Sequence, residues 1–157
     1  MKAVVLGVGN TIVRDDGVGI YVSRMLKRTL HHPDVEIKET FFSGMTYIDM
    51  LEGFDFAFVI DSIKLENDGI GELYKIEESE IEYKKNPQSL HFFTLWDAVS
   101  LGRKIGLKMP DKIIVYAVNV LDNITFDDSF SPEIKDALQP ISEHIKRDIQ
   151  EYLSKFH

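Results

Sequence analysis

Three short, almost continuously apolar runs constrain the fold of this chain more than any other feature. They are Val4–Leu6, Phe54–Ile60 and Lys112–Val118. A run without polar alternation is typical of a strand covered on both faces, as in parallel sheets. Segments with helical spacing separate the runs, for example Val18–Leu30 and Ile134–Leu153. This order predicts a three-layer α/β/α domain, with a mostly parallel, twisted sheet of about five strands and helices on both faces.

The weaker patterns add the outer elements. Alternation over Val35–Phe41 predicts a half-exposed strand near an edge, and Ile70–Ile76 indicates another edge strand, one that can be antiparallel. Apolar positions over Phe92–Val99 predict a helix. Ser131, followed by proline, is typical of a capped helix start, and Pro140 is expected to kink or split the helix that follows.

Composition narrows the functional classes. The length of 157 residues fits about one domain, so we treat 1–157 as a single unit. With 26 acidic and 18 basic residues the formal net charge is −8, which disfavours a nucleic-acid or anionic-membrane partner. The absence of cysteine excludes disulfides and thiolate metal sites within the chain and is compatible with the cytoplasm. No apolar run approaches the ~20 residues that span a membrane.

The loop after the first run carries the first candidate site residues. Gly7 and Gly9 are expected to let the backbone turn where the strand ends, and Asp15 and Asp16 follow just before a helical pattern. Ligands of open parallel sheets bind outside the carboxyl ends of the strands. Either aspartate can also serve only as a helix cap.

Two further residues are expected at the same edge of the sheet. Asp61 follows the central apolar run, and His91 lies in the first turn of a predicted helix, where the helix dipole favours neutral imidazole. Asp61 as a turn cap and His91 as a hydrogen-bonded structural residue are the alternatives. Together Asp16, Asp61 and His91 form an oxygen, oxygen, nitrogen set that suits nickel or zinc and leaves coordination positions open.

The sequence as a whole resembles a known family, the maturation endopeptidases of nickel-iron hydrogenases. The resemblance covers nearly the whole chain and depends on five segments, which are Gly7-Val8-Gly9-Asn10 with Asp15-Asp16-Gly17-Val18-Gly19, Ser43-Gly44-Met45, Val59-Ile60-Asp61, His91, and Phe130-Ser131-Pro132-Glu133.

The resemblance implies a peptidase that removes the C-terminal peptide of a hydrogenase large-subunit precursor after nickel insertion. It implies that Asp16, Asp61 and His91 are the catalytic and metal-contacting residues, and that the nickel arrives with the precursor rather than being permanently bound. Asn10, Asp15 and Gly44 are then loop-shaping or substrate positions. We expect a cytoplasmic monomer whose partner is the precursor, without nucleic acid or membrane.

Two other functions stay open at the level of sequence. Peptidyl-tRNA hydrolases also begin with an apolar strand and a Gly-x-Gly-Asn element, but Thr11 and Ile12 stand here in place of the prolyl-glycine that follows in that family. A non-catalytic nucleotide-binding module would also use a Gly-x-Gly loop. That loop lacks a third glycine and is followed by two carboxylates that would repel a pyrophosphate.

Overall fold

The strands form one five-stranded sheet in a computed structural model of the chain. The structure describes residues 1–41, 44–78 and 90–156, with 90–94 described by their backbone alone. The order across the sheet is β2-β1-β3-β5-β4; β1, β2, β3 and β5 are parallel, and β4 pairs antiparallel with β5. The strands are β1 (Ala3–Val8), β2 (Val35–Thr40), β3 (Phe56–Ile63), β4 (Leu73–Glu77) and β5 (Lys112–Asn119).

Helices cover both faces of this sheet, which confirms the predicted α/β/α class. One face packs against α1 and α4 through a core that includes Val5, Phe58 and Ile114. The other face packs against α2 and α3 through a second core that includes Leu6 and Val115. The described helices are α1 (Val18–Thr29), α2 (Thr46–Leu51), α3 (Leu90–Lys104) and α4 (Pro132–Ser154), with a 3-10 turn at Arg14–Gly17 before α1. In the described ranges no helix is long and apolar enough to cross a membrane.

The three apolar runs became the three central strands because their side chains alternate between two buried faces. The predicted edge strands are also confirmed, although β4 begins at Leu73 rather than Ile70. β3 continues to Ile63, so Asp61 lies within the last residues of the strand and not after it. The charged stretch Glu77–Pro87, whose sequence predicts a surface loop, lies outside the described residues from 79 onward, and so does Ser43.

The structure contradicts the expected turn at Gly7 and the expected split at Pro140, and it confirms the expected turn at Gly9. Gly7 lies inside β1 rather than at a turn, and a Cβ there would collide with the side chain of Ser23 on α1. Its role is therefore to let the helix approach the strand. Gly9, with a φ of 151°, is where the chain leaves the strand direction. Pro140 does not split α4, because it lies on the exposed side, where water can satisfy the carbonyl freed by the missing N–H.

The expected helix caps are also not formed by side chains. The N-cap of α1 is Gly17, without a side-chain hydrogen bond, and both Asp15 and Asp16 belong to the preceding 3-10 turn. Ser131 does precede α4, but its side chain makes no capping bond. These three side chains have other partners.

Candidate active site

The carboxyl ends of β1 and β3 lie side by side in the centre of the sheet, and each supplies one carboxylate. Asp16 comes from the 3-10 turn after β1, and Asp61 comes from the end of β3. Neighbouring parallel strands end at the same edge, which is why residues 45 positions apart in the sequence meet there. We call Asp16 and Asp61 the acid pair.

Asp16 is held from two sides. Its Oδ2 accepts a hydrogen bond from the backbone N–H of Asn10 at 2.9 Å, and its Oδ1 accepts one from the hydroxyl of Ser62 at 2.9 Å. The side-chain Oδ1 of Asn10 in turn accepts the backbone N–H of Ile12 at 3.1 Å. The first loop is thereby folded around the Asp16 carboxylate, which remains partly exposed.

Asp61 is almost completely buried, with 3% of its surface exposed. Its Oδ1 accepts the backbone N–H of Ser62 at 2.7 Å. Burial raises the pKa of Asp61 well above the usual aspartate value; the bond from Ser62 opposes this shift, and the nearby charge of Asp16 adds to it. The carboxyl therefore keeps its proton to a higher pH than an exposed aspartate, unless a cation replaces that proton.

Ser62 connects the two members of the acid pair, and sequence reasoning did not assign it a function. Its hydroxyl holds Asp16, while its backbone amide holds Asp61. Nothing in the local sequence distinguishes this serine from an ordinary strand residue, because its partner Asp16 is 46 positions away.

Tyr47 is a second residue that the sequence did not point to. It lies on α2 and is almost fully buried. Burial raises its pKa, and the charge of Asp61 adds to the shift, so a neutral phenol lies within electrostatic range of the buried acid. A tyrosine among the apolar positions of a helix is typical of a core residue. Tyr47 has an electrostatic effect on the site only because it lies near Asp61.

Asp15 is fully buried, and its carboxylate binds the segment after β5. Its Oδ1 accepts the backbone N–H of Ser131 at 2.7 Å. Its Oδ2 accepts the Ser131 hydroxyl at 2.8 Å and the backbone N–H groups of Asp122 at 2.9 Å and Leu121 at 3.2 Å. Asp15 thus acts as an anchor between the first loop and the segment 121–131.

Arg14 strengthens the same connection. Its Nε donates to the hydroxyl of Ser131 at 3.1 Å, and it forms an ion pair with Asp127 at 3.2 Å. Arg14 adopts a φ of 28°, an uncommon backbone conformation for a non-glycine residue. The two loops therefore form one hydrogen-bonded unit beside Asp16.

The other predicted site residues are described only in part. The backbone of His91 lies in the first turn of α3, but its side chain is outside the described residues. Gly44 has a φ of 78°, a conformation that favours glycine, and lies just before α2. The side chains that the structure does describe contain no group of three or more possible metal ligands.

The fold and the acid pair define an α/β protein with a two-carboxylate site at the carboxyl edge of a mostly parallel sheet. The model of the HycI hydrogenase maturation protease family matches residues 20–148, so the chain belongs to this family of peptidases. The match favours the peptidase hypothesis over both a peptidyl-tRNA hydrolase and a nucleotide-binding module.

Individual relatives agree with this assignment. The chain is 24% identical to the hydrogenase 2 maturation protease of Escherichia coli over 153 residues, which cover 96% of this chain and 92% of that protein. Its fold is similar to that of the hydrogenase maturating endopeptidase HybD from E. coli, with a TM-score of 0.80, 22% identity and coverage of 97% and 94%. It is also similar to the NiFe hydrogenase maturation protease HybD from Thermococcus kodakarensis, with a TM-score of 0.76, 22% identity and coverage of 94% and 98%.

Proposed function

We propose that this peptidase removes the C-terminal peptide of a nickel-iron hydrogenase large-subunit precursor after nickel has been inserted. The precursor would bring the nickel, and the acid pair would bind it during cleavage. The observation that carries this proposal is the shared contact through Ser62, which fixes a partly exposed and a buried carboxylate beside each other.

The chemistry of the acid pair suits a cation that arrives with the substrate. Two carboxylate oxygens without thiolates are a modest ligand set, and they repel each other until a positive charge comes near. The buried Asp61 holds a proton more strongly than an exposed carboxyl, so a metal ion must displace that proton to bind. Weak binding of free metal combined with docking of substrate-held nickel would make cleavage depend on a loaded precursor.

His91 is the proposed third ligand. It occupies the first turn of α3, where the N-terminal end of the helix dipole disfavours a protonated imidazole. Neutral imidazole is the form that binds a metal. Replacement of His91 by alanine is expected to weaken the nickel-dependent affinity for the precursor. An unchanged dissociation constant would remove His91 from the ligand set.

Water has two possible activators at such a site. The nickel can polarise the scissile carbonyl or the attacking water, or a carboxylate of the acid pair can accept the proton of that water.

We further propose that the protein works in the cytoplasm as a monomer, which fits the cysteine-free, acidic composition.

The decisive experiment compares nickel-loaded with nickel-free large-subunit precursor under the same conditions. We expect cleavage of the loaded precursor alone, detected as a mass loss at its C-terminus. The variant Asp61→Asn should fold and should not cleave. Equal cleavage of both precursors, or a fully active Asp61→Asn, would contradict the proposal.

A further inference from the structure

Large apolar side chains are exposed mainly at one edge of the sheet. Among the described residues ten such side chains are exposed, and six of them lie after the carboxyl ends of β1, β2 or β5. The acid pair occupies this same edge. The six residues, which we call the apolar rim, are Ile12, Phe41, Met45, Leu121, Ile124 and Phe126.

The most exposed members are held on an ordered segment. Ile124 is 74% exposed and Phe126 is 81% exposed. The segment that carries them is fastened by Asp15 through the backbone amide of Asp122 and through Ser131. Large apolar side chains that an anchored segment keeps exposed to water are typical of an interaction site.

The rim is joined to the loop after β1 that leads to Asp16. Val13 and Asp127 form a parallel β-bridge, and the backbone N–H of Asp127 donates to the carbonyl of Ile12 at 3.1 Å. Ile12 and Phe126 each precede a bridged residue, so they lie next to each other. Ile12 belongs to the same loop as Asp16, so the rim and the acid pair share this loop.

Carboxylates accompany the apolar rim. Asp122 accepts hydrogen bonds from the Thr125 hydroxyl and amide, which lower its pKa to about 2 and keep it ionised. Asp128 is exposed. Asp127 is paired with Arg14, whereas the exposed Asp128 is placed to meet a basic group of a partner.

We propose that the apolar rim is the docking surface for the precursor itself, and that it binds an apolar segment of the precursor flanked by basic side chains. This inference rests on the proposed function, because that function brings a protein substrate to the acid pair. The rim then supplies affinity at a distance from the bond that is cut, while the acid pair supplies the chemistry.

The test compares two double variants in cleavage of nickel-loaded precursor. Ile124→Ser with Phe126→Ser removes the two most exposed side chains of the rim, and Leu101→Ser with Ile105→Ser is the matched control at the C-terminal end of α3. We expect the rim variant to raise KM at least about tenfold with kcat nearly unchanged, and the control to leave both constants unchanged. Asp128→Lys should also raise KM. Far-ultraviolet circular dichroism and thermal unfolding verify that each variant is folded.

The outcomes separate the two proposals. If the wild-type protein does not cleave loaded precursor, the proposed function fails. If it cleaves and the rim variant keeps the wild-type KM, the docking surface is refuted. If the rim variant instead changes only self-association in analytical ultracentrifugation, the rim binds a second copy of this chain and the inference is wrong. An unchanged KM for Asp128→Lys would overturn the requirement for basic side chains.

Discussion

Replacement of Asp15 by asparagine tests whether the buried anchor stabilises the loops around the site. The variant preserves the shape of the side chain and removes its charge. In the native protein all four groups that contact the carboxylate are donors, one at Oδ1 and three at Oδ2. An amide has only one acceptor oxygen, so in the better orientation its nitrogen faces the N–H of Ser131, which is 2.7 Å from Oδ1 in the native protein.

The expected magnitude follows from these contacts. One buried donor left without a partner costs about 1–3 kcal/mol, and three bonds to a carboxylate become weaker bonds to a neutral carbonyl. The lower cost of burying a neutral amide offsets part of this loss. We expect the free energy of unfolding to fall by about 2–4 kcal/mol, a large share of the ~5–15 kcal/mol typical of a domain.

Urea unfolding followed by circular dichroism measures this difference. Asp128→Asn is the matched control, since it makes the same chemical change on an exposed residue of the segment that Asp15 anchors. It should stay within about 0.5 kcal/mol of the wild type. If Asp15→Asn is as stable as Asp128→Asn, the anchor contributes no net stability and the reasoning is refuted.

Three other substitutions have defined outcomes. Ser62→Ala removes the hydroxyl that holds Asp16 but leaves the amide that holds Asp61, so kcat/KM should fall about tenfold. Ser62→Thr restores a hydroxyl and should recover part of the activity. Equal activity of the wild type and both variants would exclude a role of the hydroxyl in holding Asp16. Asp61→Asn should be more stable than the wild type at pH 7, because the pKa of Asp61 is higher in the native than in the unfolded protein and wild-type stability therefore falls as pH rises above the usual aspartate value of 3.8. The stability difference between the two proteins should shrink as pH is lowered to 3.8. Parallel pH–stability curves would contradict this. Gly19→Ala places a methyl group against the carbonyl oxygens of Val8 and Ile60, so the free energy of unfolding, measured by thermal unfolding, should fall by about 3 kcal/mol. A Tm equal to that of the wild type would mean that α1 can shift without cost.

The sequence predicted the central fold well because burial on both faces leaves a strong signal. The runs around Val5, Phe58 and Ile114 have no polar alternation, and only the centre of a parallel sheet explains three such runs between helical segments. The position of Asp61 near Asp16 followed from the same geometry, since the ends of neighbouring parallel strands meet.

The contacts that organise the site could not be predicted because they join distant parts of the chain. The bond between Asp15 and Ser131 spans 116 positions, and both residues carry the local pattern of helix caps. Gly7 comes near the end of an apolar run, which predicts a turn, whereas its small size in fact allows α1 to pack against β1. In each case the local pattern was ambiguous, and a tertiary partner decided between the alternatives.

The anchoring of the segment after β5 determines which of its residues can be exchanged. Both ends of the stretch 123–130 are fastened by Asp15, through Asp122 on one side and Ser131 on the other. Apart from Asp127, which is joined to Arg14 and Val13, the residues between these fixed points can be exchanged while the hydrogen bonds around Asp16 stay in place. In the proposed docking mode, substitutions in this stretch change which client binds, while the residues that surround Asp16 stay the same.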